Sequence, residues 1–233
     1  MILRKTIHRF FGLLGLKLSR NVHTPNAFVE HGVTLLFDIG ANSGQFAKEI
    51  RKQGYKKRIV SFEPLSTAYQ VLLENSQSDS SWEIAPRTAI GSELKNAEIN
   101  VSNNSYSSSI LKMLPAHVKS APDSRYISRE KITVVTLDTE FIKYMRKNDL
   151  IGIKIDTQGY EKEVLAGAVK VLLQTKVIQL ELSLIPLYSG SEMYDYFFDF
   201  FSKNGFKLWS ISPEFSNPET GQLLQFNAVF VKM

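Results

Sequence analysis

The stretch Leu35-Leu36-Phe37-Asp38-Ile39-Gly40-Ala41-Asn42-Ser43-Gly44 decides the fold. An apolar run carries no charge until Asp38, and two glycines then bracket a short turn. Gln45 to Arg51 follow, with Phe46, Ala47 and Ile50 on one helical face. Strand, glycine turn and helix in that order make the first βα unit of a doubly wound sheet, whose ligands bind beyond the carboxyl ends of the strands.

Charge narrows the ligand. A dinucleotide site uses G-x-G-x-x-G so that bare backbone can approach a pyrophosphate at a helix N-terminus. Here the spacing is Gly40-x-x-x-Gly44 with Asn42 at the middle position, and no Lys-Ser or Lys-Thr pair follows the last glycine. Asp38, expected to point into the pocket, would repel a pyrophosphate and suit a ligand that is cationic on that side. The second unit agrees: Ile59-Val60-Ser61-Phe62 ends in Glu63-Pro64, and Glu63 lies 19 residues after Gly44. That is near the interval at which an acid accepts hydrogen bonds from a ribose diol. Two acids one βα unit apart point to S-adenosylmethionine (SAM), with its amino group, sulfonium and ribose.

The length of 233 residues suffices for one α/β core. There is no cysteine, hence no disulfide and no thiolate nucleophile; a reducing, cytoplasmic setting is the expectation. The four histidines (His8, His23, His31, His117) show no metal-ligand spacing, so no metal is expected. The net charge of +5 is accounted for by Arg4, Lys5, Arg9, Lys17 and Arg20 in residues 1–29, which hold no acid. The remainder is balanced, which argues against nucleic acid as a partner. Residues 1–30 are expected to form a basic amphipathic arm and residues 31–233 the catalytic domain. Residues 2–20 mix apolar side chains with cations. They read either as a helix on an anionic membrane face, placing the protein at the inner leaflet, or as one packed on protein.

Further along, residues 66–75 read as a helix capped by Ser66, and Trp82 to Ala85 as a third strand. Ala89 follows, where a small residue leaves room for adenine. Residues 97–131 break the βα rhythm and read as an insertion. It holds an exposed strand at 97–101, a hydroxyl-rich run with Ser107, Ser108 and Ser109 as candidate acceptor ligands, and an irregular, mobile cover at 112–131 with His117 on its surface. Asp138 is expected to cap a helix over 139–146. Ile151-Gly152-Ile153-Lys154-Ile155 then ends in Asp156, which should face the same cleft as Asp38 and Glu63. Val177 to Leu182 forms a strand interrupted by Glu181, an acid that needs either donors or the cleft itself. Ser189-x-x-Glu192 reads as a capping box before an aromatic helix. Strands at 206–211 and 226–231, one of them antiparallel, close a seven-stranded sheet across a loop at 213–224.

Phe37-Asp38-Ile39-Gly40-Ala41-Asn42-x-Gly44, Phe62-Glu63-Pro64, Ala89-Ile90-Gly91, Ser107 to Ser109, Thr136-Leu137-Asp138, Lys154-Ile155-Asp156-x-x-Gly159-x-Glu161-x-x-Val164-Leu165-x-Gly167-Ala168 and Gln179-Leu180-Glu181 occur in that order. This set resembles the FkbM family of SAM-dependent methyltransferases over residues 35–185. Gln158 departs from it, since many members carry Glu there. The resemblance implies an α/β class I methyltransferase (Rossmann-like) fold, a seven-stranded mostly parallel sheet with helices on both faces. It implies O-methylation, with sugar and polyketide hydroxyls as typical acceptors. It also implies that Asp38, Gly40, Asn42, Gly44 and Glu63 hold SAM and that Asp156 sits beside the transferred methyl; Lys154 and Glu161 match without a clear role.

Methyl transfer to an alcohol needs alignment and a group to take the proton. Asp156 is the first candidate base and Glu181 the second. The expected activity is O-methylation of a sugar hydroxyl on a surface glycan or its precursor. A polyketide or other small natural product is the alternative acceptor, and a SAM-binding scaffold without turnover the non-enzymatic alternative.

Overall fold

The computed structural model describes residues 26–233. Residues 1–25, with most of the expected arm and its membrane-facing stretch 2–20, lie outside the described residues. The body begins ahead of the expected boundary at residue 31: Ala27 and Phe28, in helix α1 (Ala27–Glu30), are buried in the core.

The main sheet is assembled from β1 (Leu35–Ile39), β2 (Arg58–Phe62), β3 (Trp82–Ile84), β7 (Ile151–Ile155), β8 (Thr175–Ser183), β9 (Phe206–Ser216) and β10 (Leu223–Lys232). Their spatial order is β3-β2-β1-β7-β8-β10-β9. All pairings are parallel except those of β10, which runs against both neighbours. The expected loop at 213–224 is shortened to 217–222 because both strands run into it, so β9 and β10 form a long hairpin.

Helices cover both faces because β1 is apolar on both. Leu35, Phe37 and Ile39 pack with α5 (Leu137–Tyr144), α6 (Glu161–Ala166), α7 (Val169–Gln174) and α8 (Tyr194–Lys203). Leu36, on the other face, packs with α1, α2 (Gln45–Lys52) and α3 (Ser66–Ser76). The chain leaves β1 toward β2 and later returns to β1's other side as β7. This is the switch point at which such sheets open a crevice.

A separate three-stranded sheet, β4 (Ala89–Ile90), β6 (Tyr126–Val135) and β5 (Lys95–Ser102), takes up the two ends of the insertion. The expected irregular cover at 112–131 is instead built from α4 (Pro115–Ser120), a 3₁₀ turn (Pro122–Ser124) and the start of β6. His117 is buried, not superficial. Its ring sits between Tyr188 and Phe215, and burial pulls it down to about 4, so it is neutral.

Three expected caps are replaced by tertiary ones. Thr136 caps α5, while Asp138 reaches across to accept from Lys170 N and Val171 N at the start of α7. Leu65 occupies the cap position of α3, and Ser66 bonds to Glu130 instead. The Ser189/Glu192 box is not formed: Ser189 N donates to Lys112 O, and Glu192 pairs with Lys162.

Gly44, expected to touch the cofactor, caps α2 beneath Trp82. Its φ is +87°, and a Cβ there would lie 2.4 Å from Trp82 Cη2. The turn leaving β7 is braced by Glu161, whose Oε1 accepts from Thr157 N at 3.0 Å, Thr157 Oγ1 at 3.1 Å and Gly159 N at 3.1 Å. Burial pushes the Glu161 carboxyl up to about 7, the backbone donors pulling against it.

Gly44→Ala should therefore destabilise the fold by about 1–3 kcal/mol, combining a clash with a left-handed backbone; a denaturant midpoint measures it. Glu161 predicts a pH effect of definite sign. Its folded-state value lies above the unfolded one, so its stabilising contribution is complete below the unfolded value and is lost as pH climbs toward about 7. Unfolding free energy should fall across that interval by at most about 1.4 kcal/mol per pH unit from this group. Glu161→Gln should flatten the slope; an unchanged slope would refute the assignment.

Candidate active site

Register places the polar groups. Asp38 lies opposite Ser61 on β2 and Lys154 on β7, and Lys154 lies opposite Gln179 on β8. Alternation along the strands puts these four side chains on one face of the sheet, near its carboxyl end.

Asp38 is 0% exposed and does not line the cavity, contrary to expectation. Its Oδ2 accepts from Ser61 Oγ at 3.1 Å, and Ser61 Oγ in turn accepts from Trp82 Nε1 at 2.9 Å. Oδ1 has no well-directed hydrogen bond and faces Lys154 Nζ at 3.4 Å. The reason is its position between two neighbouring strands, which close over its side chain and supply a cation. Burial pushes the Asp38 carboxyl up, with Lys154 and Ser61 pulling it partly back.

Lys154 ties the two strand ends together. Its Nζ donates to Gly40 O at 3.1 Å, stands 3.5 Å from Asp156 Oδ2 and lies 5.5 Å from the centre of the Phe46 ring. Burial works against its charge, but Asp156 and Asp38 outweigh burial and hold the ammonium above its usual range. Gly40, with φ +74°, lets the ends of β1 and β7 lie close together: a Cβ there would sit 1.9 Å from Asp156 O.

Beyond these residues opens a cavity of about 830 Å³. Gly40, Asn42 and Glu63 form one wall, Ala89 and Ser108 another, and Lys154, Asp156 and Glu181 the floor. Asn26 and Phe28 of the N-terminal side and Ser210, Ser212 and Glu214 of β9 complete the rim. Glu63 accepts from Asn42 N through Oε2 and from Leu65 N through Oε1, both at 2.8 Å, and burial pushes it up to about 7. Asn42, Ser105 and Gln158 carry positive φ values of 47°, 59° and 54°, and all three line the cavity. Backbone strain of this kind is held in place by surrounding contacts; here Asn42 Nδ2 donates to Ser105 Oγ at 3.3 Å.

The serine run serves differently from expectation. Ser108 alone of the three borders the cavity, and its Oγ accepts from Ser102 N at 3.0 Å. Ser107 Oγ accepts from Asn104 Nδ2, and Ser109 Oγ donates to Gln158 O at 2.7 Å. These hydroxyls hold the loop to its surroundings. The side chain that projects is Tyr106, 60% exposed at the cavity rim.

Asp156 and Glu181 do come together. Gln158 Nε2 donates to Asp156 Oδ1 and to Glu181 Oε2, each at 2.7 Å, while Gln225 Nε2 donates to the same Glu181 oxygen at 2.9 Å. Burial, then Asp156, Glu161 and Glu214, push Glu181 well above the usual carboxylate range. Gln158, Tyr106 and Glu214 were not singled out from sequence as site residues. A lysine inside the apolar run Ile151 to Ile155 was a legible signal, since a buried ammonium demands carboxylate partners. Nothing local marks Glu214.

The donor set suits a cationic, ribose-bearing ligand: among the described residues the cavity wall holds the carboxylates of Glu49, Glu63, Asp156, Glu181 and Glu214 against Lys154. Residues 38–208 match the family profile described as the methyltransferase FkbM domain. No curated relative matches the sequence. Among solved structures, an rRNA methylase from Streptococcus thermophilus superposes with a TM-score of 0.49 at 9% identity, covering 93% of this chain and 98% of that one. Streptococcus pneumoniae Sp1610 in complex with S-adenosyl-L-methionine gives 0.46 at 12% identity, covering 86% and 67%. Precorrin-6y C5,15-methyltransferase from Geobacter metallireducens gives 0.42 at 12%, covering 86% and 80%. The family match spans well over half of the chain, so this protein belongs to the FkbM methyltransferase domain family and is a SAM-dependent methyltransferase.

Proposed function

We propose that the chain methylates a hydroxyl of a sugar, in a surface glycan or its precursor. The observation that carries this reading is the state of Glu181. Its Oε2 is held by two amides, while among the described residues no group donates to Oε1, and the residue lines the cavity. A carboxylate with one oxygen fixed and one open is placed to take a proton from an alcohol. Asp156 fits that task less well, because Oδ1 is bound by Gln158 and Oδ2 faces Lys154. Glu181 thus becomes the base in this reading and Asp156 its ionic neighbour.

SAM supplies a methyl carbon already activated for displacement. The chain's own work is to hold the acceptor in line and take its proton. Glu63 has lone pairs left for a ribose diol, and Ala89 leaves space for a flat base. The wall beyond the acids offers uncharged hydrogen-bonding groups (Ser105, Gln179, Ser210, Ser212 and Asn227) together with the exposed face of Tyr106. That mixture suits a polyhydroxylated, uncharged acceptor. A polyanionic acceptor is disfavoured by the acidic wall and by the balanced charge of residues 30–233. The basic residues of 2–20 would bring the body to a membrane where lipid-linked glycans are built.

Mass spectrometry of surface glycans from cells with and without the gene should show a methyl group that depends on it; identical methylation in both would overturn the sugar assignment. With the acceptor so identified, Glu181→Gln should lower kcat by about 10²–10⁴-fold. The variant should still bind SAM. Transfer of labelled methyl to a small natural product, with none to sugars, would replace the acceptor class.

A further inference from the structure

Asp156 and Glu181 hang from a single nitrogen, Gln158 Nε2, at 2.7 Å each. The amide is locked in that sense. Its Oε1 accepts from Tyr188 Oη at 2.7 Å, and Tyr188 is 1% exposed. Turning the amide over would set its oxygen against two carboxylates. The groups around this pair are of mostly one sign. Glu161 lies at the start of α6, Glu214 comes from β9, the Tyr188 phenol is neutral, and Lys154 is shared with Asp38 on β1. Burial and the acids facing it, Asp156 first, favour the protonated form of Glu181. Glu181 Oε1, without a protein donor among the described residues, is the oxygen free to carry the proton.

We propose that Glu181, held beside Asp156 by the Gln158 amide, is a charge-gated base: it keeps a proton until a sulfonium-bearing ligand enters the cavity, and then releases it to solvent. The O–H bond of Glu181 breaks and the incoming positive charge takes the place of the departing proton. Glu181 is then able to accept the acceptor hydroxyl's proton only when the methyl donor is present. After transfer the donor is a neutral thioether and the abstracted proton sits on Glu181, so charge balances at both ends of the cycle. Gln158 is the positioning residue that keeps both acids within reach of one another.

The inference rests on the SAM assignment and on Glu181 as the base, and its test does not require the acceptor. Calorimetric titration of the full-length protein with SAM and with S-adenosylhomocysteine, in buffers of different ionisation enthalpy near neutral pH, counts protons exchanged on binding. Wild type should release up to about one more proton with SAM than Glu181→Gln does. S-adenosylhomocysteine, which lacks the sulfonium charge, should show no such difference between the two proteins. Gln158→Glu, nearly isosteric, places a third carboxyl beside the pair and should increase the release. Equal proton counts for wild type and Glu181→Gln with SAM, or the same difference with both ligands, would overturn the gate while leaving the cofactor assignment intact. Failure of wild type to bind SAM at all would remove both.

Discussion

One buried ammonium holds the functional end of this sheet together. Lys154 lies where the first strand and its later neighbour meet, and it serves a carbonyl on one and a carboxylate on each. Taking a charge out of water is costly unless partners surround it. The chain answers with Asp38 from the side and Asp156 from the strand end. The consequence is geometric: Gly40 and Asp156, the first residues beyond each strand, are fixed relative to one another, and the crevice opens from that fixed pair.

This arrangement changes the meaning of the acids at the strand ends. Asp38 belongs to the foundation and reaches the cavity only through the charge of Lys154. Glu63 is pinned by two backbone N–H groups and keeps its remaining lone pairs for a ligand. Glu181 is tied at one oxygen and open at the other. Asp38 is thus a support, Glu63 keeps lone pairs unused by the protein, and Glu181, inside its strand, presents one open oxygen to the cavity. The difference between them is the number and kind of donors that the fold brings to each.

The insertion contributes in the same way. Its serine-rich loop is bonded to the turn leaving β1 through Ser105 and to the turn leaving β7 through Ser109. Rigid support of this sort lets Gln158 and Asn42 keep positive φ beside the cavity. Of the hydroxyls that a sequence reader would assign to substrate, Ser109 holds the turn leaving β7, while Ser107 and Ser108 are tied to Asn104 and Ser102 nearby in the chain. Tyr106, one position away from them, is the side chain left facing out.

Much of the fold was legible before any coordinates. The uncharged run ending at Asp38, the second ending at Glu63 and the third ending at Asp156 are local patterns, and local patterns survive whatever the tertiary contacts are. The same holds for the ordered motifs that mark the family, and hence for the methyl-transfer chemistry. The caps read at Asp138 and at Ser189 failed because a side chain's partner is chosen by what lies across space: Asp138 found the start of another helix 32 residues away. His117 was misplaced for a like reason, since α4 is held between rings contributed by Tyr188 and Phe215. The sequence by itself determined the seven-stranded, mostly parallel sheet, the acids at strand ends and the chemical class. Which of those acids lines the cavity, which one is buried against Lys154, and which pair shares the Gln158 amide were decided only when β1, β7 and β8 came into register, because period-two alternation assigns a face but never the neighbour across it.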